Sequence, residues 1–321
     1  MSLNPDIAAF LELVGSGRAT GKNLAMHQLS PQQAREQFDL SSQMMDAGAA
    51  DLEQVDSLDI LSRDGQPLPA RLYSASRLDL AAPAPALLYL HGGGYVVGSL
   101  NSHDSLCRAL AESAGCAVLS VAYRLAPQWR FPTSAEDAED AWHWLVEEGT
   151  GLGIDTQRLA LAGDSVGGSL VAVLAAQLAR NSAPVQPRLQ VLIYPVTDAS
   201  RSTASLKRYA SGYLLEKDTL EWFYGLYQRE LADRQDPRFS PLLGAVPEGL
   251  APTLMILGEC DPLHDECLAY VVHLREAGTT VNVTVYPGMT HDFLRMGAII
   301  DEAEEAQQEI GGALRQVFGL G

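Results

Sequence analysis

Arg158-Leu159-Ala160-Leu161-Ala162 runs directly into Gly163-Asp164-Ser165-Val166-Gly167, and after Gly168 the chain continues Ser169-Leu170-Val171-Ala172-Val173-Leu174-Ala175-Ala176-Gln177-Leu178-Ala179-Arg180. The first five residues are a short apolar run bounded by polar ones, which predicts a buried strand. The last stretch is rich in Ala and Leu and predicts a helix. A G-x-S-x-G pentapeptide between strand and helix predicts a nucleophile elbow. Its glycines lack the Cβ atoms that would clash where the chain reverses, so the Ser165 hydroxyl is left exposed at the edge of a sheet. The pentapeptide alone recurs in many unrelated chains; the strand-turn-helix context makes it specific.

The texture on either side agrees with this reading. Short, largely apolar segments predict strands at 68–73, 86–90, 117–123, 159–162, 189–194, 253–257 and 281–286. Helical stretches at 102–113, 135–148, 165–180 and 263–277 separate most of them, and an amphipathic helix over about 302–318 closes the chain. Buried strands alternating with helices predict an α/β fold, with a mostly parallel central sheet flanked by helices on both faces. Residues 5–48 are expected to be helical, with Ser30 and Pro31 as an N-cap and N1 pair. About sixty residues without a clear strand separate the segments ending at Tyr194 and starting at Thr253, longer than an ordinary crossover. They carry Trp222, Phe223, Tyr224 and Tyr227 on an expected helix. These aromatics either face a helical cap over the site or fill the core; the length of the insertion favours the cap. The expected division is residues 1–50 as N-terminal helices contributing to the cap. Residues 51–321 then form the catalytic domain, with a cap insertion at about 198–235.

Bulk properties bound the function. The chain has 321 residues, 47% of them hydrophobic and 19% charged, as in an ordinary globular enzyme with room for a sizeable core. Its formal net charge of -18 repels phosphate backbones and anionic lipid, so neither nucleic acid nor a membrane is the expected partner. The start of the chain has no basic n-region, and Glu12 interrupts the apolar run from Ile7 to Val14. Cys107, Cys116, Cys260 and Cys267 show no C-x-x-C spacing and are expected to be free thiols in a cytoplasmic protein, with no metal site.

A serine nucleophile needs a base, and the base needs a carboxylate to orient it. On this architecture the order along the chain is Ser, acid, His, each after a strand. The strand at 253–257 leads into Gly258-Glu259-Cys260-Asp261-Pro262-Leu263, and that at 281–286 into Pro287-Gly288-Met289-Thr290-His291-Asp292. Asp261 and His291 therefore fall on adjacent strand-end loops. Glu259 and Asp265 are rival acids; Glu259 sits closer to the strand, and Asp265 suits the first turn of a helix. His264 is too near Asp261 to act from a separate loop, and His27, His103, His143 and His273 fall in helical segments. His91-Gly92-Gly93-Gly94-Tyr95, after the strand at 86–90, offers bare backbone N–H groups to a developing oxyanion, joined by the amide of Val166. A Gly triplet can also be a flexible turn or a phosphate loop, but no Gly-Lys-Ser/Thr follows. His91 is expected to brace the loop.

These residues resemble a known family. Together with Tyr123-Arg124-Leu125-Ala126-Pro127, Phe131-Pro132, Glu136-Asp137, Ser240-Pro241-Leu242 and Tyr286-Pro287-Gly288-Met289, they look like the bacterial hormone-sensitive-lipase-like carboxylesterases (family IV) of the α/β-hydrolase superfamily. The resemblance spans roughly residues 60–320. It implies the α/β-hydrolase fold with a helical cap, a Ser165–His291–Asp261 triad and an oxyanion hole from Gly93, Gly94 and Val166. It also implies short-acyl esters as substrates, no cofactor, and room for a homodimer. Three positions depart from the family pattern: Asp292 replaces the usual Gly after the histidine, Gln128 a usual Glu, and Val166 a common Ala. Tyr95, Trp222 and Phe223 are the expected walls of a narrow substrate pocket if they face it. Plant gibberellin receptors resemble the same family but lack the histidine that is present here as His291. Amides, lactones and acyl acceptors pass through the same kind of tetrahedral state and stay open as alternatives to esters.

Overall fold

A computed structural model describes residues 2–21 and 24–321. It begins with two helices, α1 (Pro5–Ala19) and α2 (Pro31–Met45). Asn4 caps α1 by accepting from the Asp6 N–H, and Ser30 caps α2 by accepting from the Gln33 N–H, each with Pro at the start of the helix. The sheet then opens with β1 (Gln54–Leu61), β2 (Pro67–Ser74) and β3 (Ala84–Leu90), followed by α3 (Asp104–Ala114) and β4 (Ala117–Val121). α4 (Thr133–Glu148), β5 (Ile154–Asp164), α5 (Val166–Arg180) and β6 (Gln190–Ile193) come next. The long insertion holds α6 (Ala204–Arg208), α7 (Lys217–Tyr227) and short 3-10 turns. β7 (Thr253–Gly258), α8 (His264–Glu276), β8 (Val281–Tyr286) and α9 (Glu302–Phe318) finish the chain.

The eight strands form one sheet in the order β1-β2-β4-β3-β5-β6-β7-β8. β2 pairs antiparallel with β1 and β4, and every other neighbouring pair is parallel. The expected mostly parallel sheet is therefore present. β1 is an addition to the expectation. It is an edge strand, half exposed, and Asp56, Ser57 and Asp59 break its apolar pattern. β5 also begins earlier than its apolar run: Ile154 pairs with Ala84, and the polar residues Asp155, Gln157 and Arg158 fall in the irregularity before Leu159 pairs with Ala86.

Burial explains why the central strands read as continuous apolar runs. Leu87 and Leu88 of β3, Leu161 of β5, Val191 and Leu192 of β6 and Met255 and Ile256 of β7 are all fully buried. α5 is buried along Val166–Ala175, so it lies inside the molecule, against β5 and β6, and carries the elbow with it. Parallel pairing brings the carboxyl ends of β3, β5, β7 and β8 to one edge of the sheet, and the loops leaving that edge carry the candidate residues.

α2 is fastened over this edge by Arg35, whose guanidinium donates to the carbonyls of Val96 (2.8 Å) and Ala126 (2.8 Å) and to Gln128 Oε1 (2.9 Å). Gln128 supplies an acceptor to Arg35 without the charge of a Glu. Among the described residues, no helix is long and apolar enough to cross a membrane.

Candidate active site

The elbow between β5 and α5 forces close backbone approach. A Cβ on Gly163 would lie 2.5 Å from the Gly167 carbonyl, and one on Gly167 would run into the Leu90 carbonyl of β3. Only glycine lets β3, β5 and the start of α5 meet here. Between them Ser165 is held at φ 52°, ψ -125°, a conformation costly for any residue with a side chain. The Ser165 N–H donates to the Ile193 carbonyl at 2.8 Å, which fixes the turn against β6.

His291 lies between Ser165 and Asp261. Its Nε2 is 3.0 Å from Ser165 Oγ and its Nδ1 is 2.7 Å from Asp261 Oδ2. All three side chains are buried. Asp261 Oδ1 accepts from the Leu263 N–H at 2.8 Å, which leaves Oδ2 for the imidazole. The Tyr194 ring backs the imidazole, 4.6 Å between centroids. Burial would lower the His291 pKa, but the carboxylate of Asp261, then those of Asp292 and Asp164, outweigh it and hold the pKa above its ordinary value.

The rival residues lie elsewhere. Glu259 Oε2 accepts from the Gly288 N–H (2.9 Å) and Asp265 Oδ2 from the Ser205 N–H (2.7 Å), so both carboxylates brace loops. His264 Nδ1 contacts the Gly258 carbonyl (3.0 Å), and His273 Nε2 the Gly244 carbonyl (2.8 Å). His103 is not within a helix but immediately precedes α3, fully buried, with Nε2 3.3 Å from Asp164 Oδ2.

Gly93 and Gly94 line the cavity beside Ser165 and His291. The Gly93 carbonyl is used within the loop, accepting from the N–H groups of Val96 and Val97. Val166 is the first residue of α5, where the N–H has no partner inside the helix. The loop is clamped from below by Asp164, whose Oδ1 accepts from the Gly92 N–H (2.9 Å) and the Tyr89 hydroxyl (2.6 Å). Burial would raise the Asp164 carboxyl, but His103, Arg295 and the Tyr89 bond more than offset it, so it stays well below the usual carboxylate range. His91 stays within the loop, its Nδ1 2.8 Å from the Gly92 carbonyl.

A cavity of about 620 Å³ opens onto these atoms. Phe10, Leu13 and Val14 of α1, Phe38, Met44 and Met45 of α2, and Leu214, Leu215, Thr219 and Phe223 of the insertion form its walls. Phe223 covers the glycine loop; a Cβ on Gly94 would lie 2.2 Å from its ring carbons. Two expected pocket residues take other places. Tyr95 is fully buried beneath the loop, its ring stacked on Tyr227 at 3.9 Å, because its positive φ of 64° turns the side chain inward. Trp222 is absent from the cavity wall: Thr219 and Phe223 share one face of α7, and residue 222 is rotated a quarter turn away. The walls from α1 and α2 carry no motif, so only their apolar spacing could have pointed to them.

A family profile described as alpha/beta hydrolase fold matches residues 87–295. The chain is 58% identical to an ethyl acetate hydrolase of Pseudomonas putida over 316 residues, covering 98% of this chain and 99% of that protein. It belongs to the hormone-sensitive-lipase-like family of α/β hydrolases. Among solved structures, a hyperthermophilic esterase from the archaeon Pyrobaculum calidifontis superposes with a TM-score of 0.91 at 34% identity, covering 98% of this chain and 99% of that one. An ester hydrolase from the metagenome of Lake Arreo reaches 0.92 at 34% identity, covering 99% of each chain. Within this family fold, the members of the site come from β3, β5, β7 and β8, and the roof from α1, α2 and α7.

Proposed function

We propose that this member of the family is a serine carboxylesterase that hydrolyses short-acyl esters through an acyl-enzyme. The observation that carries the reading is His291 bridging Ser165 and Asp261 at hydrogen-bond distance on both sides. His291 removes the Ser165 proton as Oγ attacks the ester carbonyl, and Asp261 holds the imidazole in the tautomer with its free lone pair on Nε2. The tetrahedral oxyanion is received by the amides of Gly93, Gly94 and Val166, which act where the charge develops. His291 then protonates the departing alcohol, and the same imidazole activates water to release the acid.

A short acyl group is favoured by Phe223 lying on Gly94, which closes the space beside the carbonyl. The activity named for the Pseudomonas putida relative, ethyl acetate hydrolysis, points the same way. Four buried, unpaired cysteines support a reducing, cytoplasmic compartment.

The test is hydrolysis of p-nitrophenyl acetate, butyrate, octanoate and palmitate by the wild type and by Ser165→Ala. Turnover should peak on the short chains and fall by about 10³-fold or more in the variant. A Ser165→Ala protein that keeps most of its turnover would overturn the serine mechanism, and a peak on palmitate would overturn the short-acyl assignment.

A further inference from the structure

Asp292 directly follows His291. Its φ is 66°, in the left-handed region that favours glycine and that Asp tolerates better than most residues. The carboxylate is not loose. Asp292 Oδ2 accepts from Arg295 Nη2 at 3.1 Å. Arg295 is 6% exposed, and its guanidinium lies over the Phe38 ring of α2 at 4.7 Å. Its Nη1 donates to Ser42 Oγ of α2 (2.8 Å) and to the Ser102 carbonyl (3.4 Å). Arg295 therefore joins the histidine loop, α2 and the segment leading into α3. It also stands between two cavities: the one containing Ser165 and His291, and a second of about 380 Å³ lined by Ser42, Ser102, Asp301 and Glu304.

The charges around the base are uneven. Asp261 touches Nδ1 of His291, Asp292 is its chain neighbour, and Asp164 lies behind the nucleophile. Ser165 faces Nε2 and the Tyr194 ring covers one side. All three carboxylates favour the imidazolium, the form that cannot accept the serine proton. Arg295 is the cation that Asp292 meets, and its charge also acts on Asp164.

We propose that Arg295 is a positioning residue for the reaction: it neutralises Asp292 and holds that carboxylate to the cavity wall, so that His291 stays available as a base at lower pH. The inference rests on His291 being the base, as proposed above. It accounts for a carboxylate held beside the base through its partner three residues on, and it gives the buried guanidinium a role beyond anchoring α2.

The experiment is the pH profile of kcat/KM on p-nitrophenyl acetate for wild type, Arg295→Met, Asp292→Asn and the double variant. The acid limb reports deprotonation of the free enzyme's base. In Arg295→Met the unpaired Asp292 should move that limb to higher pH by roughly half a unit or more, and Asp292→Asn should move it lower. The double variant should return close to wild type, although it lacks the anchor to α2 as fully as Arg295→Met does. A merely structural Arg295 would lower stability in both Met variants and leave the limbs together, which would overturn the proposal. If Arg295→Met does not fold, the Asp292→Asn limb decides: no downward shift refutes the inference. Retained turnover in Ser165→Ala would refute the underlying reading instead, so the two failures are distinct.

Discussion

Ser165 and Gly94 each hold their place at the candidate site through one backbone angle. Ser165 occupies its strained turn because the neighbouring glycines allow β3 and α5 to close around it, and the strain is carried by the packing of the whole elbow. Gly94 is held at φ 60° with the Phe223 ring against the place where a Cβ would stand. Gly94→Ala would meet both obstacles at once, and relief of either shifts the loop amides. Losing the aim of one oxyanion donor costs on the order of 3 kcal/mol in the barrier. The variant should therefore lose about 10²-fold in kcat with a smaller change in KM, measured on p-nitrophenyl butyrate. An unchanged kcat would remove Gly94 from the proposed oxyanion hole.

At the level of elements, the loops after β6 and β7 are joined by a carboxyl group. Glu266, in the first turn of α8, is buried, and its Oε1 accepts the N–H groups of Thr197 (2.8 Å) and Asp198 (3.3 Å), where the long insertion begins. Ser205 continues the junction, its hydroxyl donating to the Pro262 carbonyl at 2.9 Å. The loop bearing Asp261 and the root of the insertion are thus tied together. Burial pushes the Glu266 carboxyl up to about 8, against the two N–H donors, with Asp198 and Asp261 adding to the rise. An acid whose pKa is raised on folding binds more protons folded than unfolded, so its contribution is complete at low pH and is lost as pH climbs. The window runs from the ordinary carboxyl value near 4.5 to about 8. Glu266→Gln keeps an acceptor for both amides and cannot ionise. Its Tm should fall less between pH 5 and 8 than that of the wild type, followed by circular dichroism. Parallel curves for the two proteins would mean that Glu266 is ionised throughout.

On the scale of the whole molecule, the roof of the cavity is tied down at scattered points. Arg35 fixes α2, Arg18 Nη1 bonds Glu216 Oε1 at 2.7 Å between α1 and the insertion, and Asn4 N–H donates to the Gly288 carbonyl at 3.2 Å, three residues before His291. α1 has a single fully buried residue, Ile7, yet it gives the cavity Phe10, Leu13 and Val14. Burial of one such side chain is worth roughly 1.5–3 kcal/mol, and a partly exposed ion pair about 0–1 kcal/mol. Removal of residues 2–20 should therefore lower the Tm by only some degrees while raising KM for p-nitrophenyl butyrate about tenfold. An unaltered KM would show that α1 does not contact substrate.

The sequence determined the mostly parallel sheet and named the candidate chemical groups. Apolar strands alternating with helices dictate a covered parallel sheet, and Ser165, Asp261 and His291 are legible because each follows a strand with glycine or proline marking the loop. β1 escaped because an edge strand is half wet and its charges break the pattern. Tyr95, Trp222 and Phe223 looked equivalent in the sequence, since composition says nothing about which way a ring turns. Only the tertiary structure separated them, through the positive φ that sends Tyr95 beneath the loop and the helical phase that shows Phe223 to the cavity and hides Trp222. The same holds for Arg295, which looks like an ordinary surface cation in the chain. Its role depends on Asp292, Phe38 and Ser42, brought together from distant positions. Chain-local signals fix elements and the residues at their ends; long-range packing decides what each side chain faces.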